Sequence, residues 1–222
     1  MAGVFQYDNK VFRGLGKVTD CFIVSMFWVL GCIPVVTFGA SCQALYHTVH
    51  KQIKGGRGYV WQEFFDSYKD ELKSNIGITV IFEVILGILA YERMLLRVMI
   101  DNGGDKTLTV MYMLTAFLQL LLVTWAIITF CYRARFAMDW KNSMKNGVLL
   151  MLGYLPRALV ITVSIFVFSV LIRLLPFLIC FLPVIWFLLY EFLLEKVFRS
   201  IMRPEDAQLE EEQEMESKRD NV

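Results

Sequence analysis

Residues 108–132 form an apolar run whose only strongly polar side chain near the middle is Gln119. As a helix rising about 1.5 Å per residue, such a run crosses a hydrocarbon core roughly 30 Å thick with length to spare. No water is available there to satisfy backbone groups, so the run must be a helix that closes its own hydrogen bonds. Further runs occupy 21–45, 76–96, 148–175 and 177–197, the fourth beginning at either Val148 or Pro156. This pattern predicts an all-α polytopic integral membrane bundle of about five transmembrane helices.

Composition agrees with that reading. Hydrophobic residues make up 57% of the chain and mean hydropathy is +0.54, with charges gathered in short stretches. No charged block between the runs is long enough for a water-soluble domain. Residues 1–203 therefore read as one membrane domain, and the Glu-rich segment 204–222 as a disordered, solvated cytoplasmic tail. A net charge of +1 excludes a strongly basic nucleic-acid binder. Lys10, Arg13 and Lys17 precede a run too long for a cleaved signal, so the N-terminal segment is expected to be retained. The five cysteines lack any CxxC or metal-ligand spacing and read as packing residues. His47 and His50 share a helix face with no carboxylate to complete a metal set, which reads as an interfacial basic cluster. No cofactor or metal is expected. The sequence also shows no paired nucleophile and base, and hence no enzyme.

Two segments show the periodicity of helices lying in the membrane interface, each leading into a span. In one, Trp61, Phe64, Phe65, Tyr68 and Leu72 oppose Glu63, Asp66, Lys69, Asp70 and Lys73. In the other, Phe136, Trp140 and Met144 oppose Lys141, Asn142 and Lys145. Gly55 to Gly58 reads as the turn before the first, and Asp101 to Asp105 as a turn between spans. Lys and Arg are denser in the first long loop, the third loop and the C-terminal tail, which places the C-terminus in the cytoplasm and, with five alternating spans, the N-terminus outside. A break at Pro34 would instead make the first run a re-entrant pair and return the basic N-terminus to the cytoplasmic side.

Ionisable groups within spans are rare and are paired or functional. Glu83 and, if the fourth span starts at Val148, Arg157 lie at similar depth, with Gln119 and Tyr154 as neighbours. The four define a candidate intramembrane polar site, either a helix fastener or part of a substrate or ion pathway. Arg157 snorkelling from a helix that starts at Pro156 is the competing arrangement. Arg93 and Arg173 read as boundary residues, and Glu191 and Glu195 as partners of Lys196 or Arg199 along one helix. In the first run, Pro34 permits a kink and Thr37 can satisfy a freed carbonyl. Gly39, Ala40, Ser41 and Ala44 permit close helix approach.

The segment 28–51, carrying Pro34, Thr37, Gly39, Ala40 and Ala44, followed by Phe64 and Phe65, resembles the YesL-like family of bacterial membrane proteins, a family of unknown function. A second block, 133–160, with Leu155 and Pro156, resembles it too. Members are commonly encoded beside carbohydrate ABC transporters and sensor kinases. The resemblance therefore implies an accessory or regulatory protein of bacterial carbohydrate uptake in the plasma membrane. Its implied partners, besides the bilayer, are ABC permease subunits or a sensor kinase, or a second copy in a homo-oligomer. The alternative is a small-molecule or ion transporter working through Glu83 and Arg157.

Overall fold

The structure, a computed structural model, describes residues 10–54, 59–136 and 138–202, together with Met215. Among these residues there are seven α-helices and no strand: α1 (Lys10–Gly31), α2 (Phe38–Thr48), α3 (Val60–Asp101), α4 (Lys106–Arg135), α5 (Trp140–Gly153), α6 (Leu155–Leu174) and α7 (Leu182–Ile201). The Gly55 to Gly58 turn and, Met215 apart, the acidic tail 204–222 lie outside the described residues.

Three helices, α3, α4 and α6, are long and apolar enough to cross a membrane. They are apolar on the outside as well as the inside: Ile88 and Met94 of α3, Met113 and Phe117 of α4, and Val163 and Phe166 of α6 are all exposed. A helix apolar all round, with its outer face uncovered, belongs in lipid. The chain is a membrane protein. α1 and α7 carry charges that dilute their apolar runs: Lys10, Arg13, Lys17 and Asp20 in one, Glu191, Glu195, Lys196 and Arg199 in the other.

The first run departs from a single bent span. It breaks after Gly31, passes through a short turn of 3-10 helix at Val35–Thr37, and resumes as α2. Pro34 cannot donate a backbone hydrogen bond, and the Thr37 hydroxyl lies 2.6 Å from the Gly31 carbonyl and 2.7 Å from that of Pro34. α2 then folds back on α1, with Trp28 and Phe38 rings 6.2 Å apart. The two also run in opposite directions along α3. Phe27 meets Phe64 and Phe65, and Gly31 approaches Tyr68, whereas Gly39 meets Thr79 and Gln43 meets Asn75. The small residues are what allow this: a Cβ on Gly39 would collide with Thr79 Oγ1 and the Phe130 ring.

α3 runs without interruption through the segment expected to lie in the interface. No helix breaker separates Trp61 from Ile76, so one helix of 42 residues forms. Its Phe64 is covered by protein rather than lipid. α3 ends at a turn demanded by Gly103, whose φ is +91°, with Gly104 N–H donating to Met99 O and Gly103 N–H to Ile100 O, both at 3.1 Å. The expected fourth span, 148–175, is likewise divided: α5 ends at Gly153, and Pro156 sits in the first turn of α6, where its missing N–H costs nothing. α5 packs on α4 through Gly147, beside Thr129, and through Trp125, whose indole donates to Met144 O at 3.1 Å. α4 and α6 are joined by a Thr124–Thr162 hydroxyl contact of 2.9 Å, and α6 and α7 by Ser164 and Tyr190 at 3.3 Å.

Candidate functional site

Of the four residues expected to share an intramembrane site, Arg157 and Tyr154 meet, while Glu83 and Gln119 are not joined to them by any ion pair or hydrogen bond among the described residues. Glu83, on α3, is partly buried, and its Oε1 has no hydrogen-bond partner. Arg157, at the start of α6 rather than deep in a longer span, lies over the Tyr154 ring at 5.2 Å from its centroid. Gln119 instead accepts from Arg93 at 2.6 Å, and the same guanidinium donates to Tyr112 OH at 3.2 Å. Arg93, read as a boundary residue, thus ties α3 to α4.

The main polar construction stands where α2, α3, α4 and α5 meet, and the sequence reading missed it. Arg133, near the end of α4, is 7% exposed and donates from Nε to Asn75 Oδ1 at 2.8 Å. Its other nitrogens donate to Ser74 Oγ, to Met138 O at 3.2 Å and to Ser143 Oγ at 3.4 Å. Asn75, wholly buried, passes the connection on: its Nδ2 donates to Gln43 Oε1 at 2.6 Å and to Glu71 Oε2 at 3.3 Å. A planar guanidinium can satisfy several acceptors at once, which a lysine ammonium does less rigidly. One arginine thereby fastens four helices.

Two residues on, Arg135 serves a second cluster with α7. It donates to Glu195 Oε1 at 2.8 Å, and Arg199 Nε reaches the same oxygen at 3.3 Å. His50, in a π-helical turn spanning Val49–Lys54, donates from Nδ1 to Glu191 Oε1 at 3.1 Å. Glu191 and Glu195 are both nearly inaccessible, at 2% and 5% exposure. The expected pairing of Glu195 with Arg199 is present, but partners remote in sequence, Arg135 and His50, complete the cluster. His47 belongs to a separate group at its edge, 3.2 Å from Glu63 Oε1 and 3.1 Å from Ser67 Oγ. Burial holds its imidazole below the usual pKa; the Glu63 carboxylate opposes this, while Lys51, His50 and Arg135 add to it.

The expected packing residues lie inside the chain: Gly39, Ala40, Ser41 and Ala44 of α2 are buried against α3 and α4, with Thr37 just before them. They are therefore not a surface for a partner. The five cysteines are free thiols, Cys42 and Cys131 being fully enclosed.

Residues 21–93 match a family described as Protein of unknown function, DUF624. The match takes in the Pro34 break, α2, His50 and most of α3, and stops before Arg133 and Glu195. No curated protein and no solved structure matches the chain.

Proposed function

We propose that the chain is a non-enzymatic accessory or regulatory membrane protein associated with carbohydrate uptake in a bacterial plasma membrane, as the resemblance to the YesL-like family implies. The observation that carries this over a transport reading is the use made of the intramembrane polar groups. Gln119 serves Arg93, and Arg157 serves Tyr154, so each is engaged in a local contact rather than facing a shared pathway. Partner subunits would dock on the uncovered apolar faces of α3 and α6, around Ile88 and Val163.

The same reading sets a topology. α3, α4, α6 and α7 cross the bilayer, and α1 with α2 forms a hairpin entering from the cytoplasmic side. Leu30, Ile33 and Val35, exposed and apolar, suit a tip immersed in lipid, and Thr37 supplies the satisfied backbone such a tip requires. Both termini are then cytoplasmic, beside the basic end bearing Arg133 and Arg135, in place of five spans with an external N-terminus. Cysteine labelling at Gly3 in intact cells tests this: labelling only after permeabilisation supports it, and labelling of intact cells overturns it.

The functional test is affinity purification of a C-terminally tagged copy from its native membrane during growth on several polysaccharides. Permease subunits or a sensor kinase recovered in fixed proportion support the accessory role. Recovery of the chain alone or as a homo-oligomer defeats it. A second reading, a small transporter, is favoured by one observation, the buried Glu83 Oε1 with no hydrogen-bond partner. Liposome flux abolished by Glu83→Gln would establish that reading.

A further inference from the structure

The cluster formed by His50, Glu191 and Glu195 contains one feature that its ion pairs do not use. Glu195 is 5% exposed, and both arginines that reach it bind the same oxygen, Oε1. The other oxygen, Oε2, is buried and accepts no hydrogen bond. It is aimed at His50 Nδ1 from 3.9 Å, too far for a hydrogen bond. A buried carboxylate oxygen without a donor is costly, and it calls for a cation, a proton or an ion to face it.

One ring nitrogen of His50, an oxygen of Glu191 and an oxygen of Glu195 all lie within 4.8 Å of one another, and Nδ1 itself stands 3.1 Å from Glu191 Oε1 and 3.9 Å from Glu195 Oε2. Donors held about 2.0–2.2 Å from one ion stand roughly 3–3.5 Å apart, so the triangle needs only a modest contraction. Glu191 and Glu195 are one helical turn apart on α7 and present to the same face. His50 comes from the π-helical turn of the other half of the chain, and π-helical turns are rare and frequent at functional sites. The His50 side chain is 19% exposed, which gives an ion a route in, whereas the two carboxylates are enclosed. Arg135 and Arg199, on Oε1, fix the direction of Oε2 as an outer-shell partner does, while their charge weakens the hold on any cation.

We infer that His50, Glu191 and Glu195 form a binding site for one divalent transition-metal ion, joining the hairpin half of the chain to α7. One imidazole and two carboxylates suit a borderline ion such as Zn2+ or Mn2+ rather than a soft one. Occupancy pins α7 to the segment after α2. This inference does not depend on the accessory role, and a protein that recovers no permease could still bind the ion.

The test uses the full chain in detergent micelles, carried on a histidine-free tag and cleared of metal by chelation, with Zn2+ alone as the probe. Equilibrium dialysis should give one Zn2+ per chain, and the same for His47→Ala. His50→Ala and Glu191→Gln should each weaken binding by about tenfold or more. Binding by His50→Ala equal to that of the parent, or no saturable binding by the parent, overturns the site and leaves a salt-bridged fastener. Should both weakened variants fail to fold, the Zn K-edge spectrum of His47→Ala decides, because His50 is then its only histidine. Imidazole scattering at the metal supports the site, and an all-oxygen or sulfur shell overturns it.

Discussion

Arg133 and Arg135 stand two residues apart at the end of one helix, yet they organise opposite kinds of environment. Arg133 is surrounded by an amide, hydroxyls and a carbonyl, with every neighbour named above engaged, and a carboxylate, that of Glu71, is reached through Asn75. Arg135 meets a carboxylate directly, in a cluster holding two buried glutamates and one oxygen left without a donor. The difference teaches how to separate a fastener from a site. A polar network whose donors and acceptors are matched acts as a rivet between helices, whereas one with a surplus acceptor beside an accessible imidazole has a place to fill.

The contrast would break first at Arg133. Arg133→Met should lower unfolding free energy by about 3–5 kcal/mol, because Asn75, Ser74 and Ser143 lose a shared donor in a buried place. An SDS or thermal unfolding series in micelles measures it, and a loss within experimental error would remove the rivet. Next in size, Gly39→Leu should cost about 2–3 kcal/mol by forcing α2 away from Thr79 and Phe130, and with it Gln43 from Asn75. Gly77→Leu, in open space on α3, should stay within about 0.5 kcal/mol, and equal losses at the two glycines would defeat the close-packing account.

Glu195→Gln sharpens the comparison from the other side. It keeps shape and an acceptor for Arg135 and removes the buried acceptor that has no donor, so it should cost only about 1–2 kcal/mol, less than Arg133→Met. The reverse ranking would make the second cluster the true fastener. The smallest effect concerns pH. His47 has a lowered folded pKa, so protonation favours the unfolded chain. Its contribution to stability is complete above the ordinary histidine value of about 6.5 and falls as pH drops below that value, levelling once the folded imidazole also takes a proton. The difference in Tm between the parent and His47→Gln should therefore shift against the parent as pH is lowered, and a shift the other way would mean that Glu63 outweighs burial.

Much of the scaffold was legible because it is written locally. The uniform apolarity of α4, the glycine that closes α3, the carbonyl contacts of Thr37 and the helix start at Pro156 each follow from a few adjacent residues. The polar clusters were hidden because their partners are remote: Arg133 and Asn75 are separated by 58 positions, and His50 and Glu191 by 141. One clue was available for the first. Asn75 and Arg133 lie almost equally far from Gly103 along the two arms of the α3–α4 hairpin, so an antiparallel register sets them side by side. No comparable clue linked His50 to α7, because the intervening helices set that meeting. The expected Glu83 and Arg157 ion pair is not formed among the described residues, for the converse reason: equal depth was inferred from one span starting at Val148, whereas the helix ends at Gly153 and restarts at Leu155.

α3 has a mechanical consequence. At about 1.5 Å per residue its 42 residues extend roughly 63 Å, twice the hydrocarbon thickness, with no hinge between the lipid-facing half and the half that carries Phe64 and Tyr68. Such a rod is a lever whose fulcrum is the clamp at Asn75. If α3 tilts as a rigid body, a change of bilayer thickness or of a neighbour's tilt at Ile88 swings the far arm, and with it the hairpin it holds, in the opposite direction.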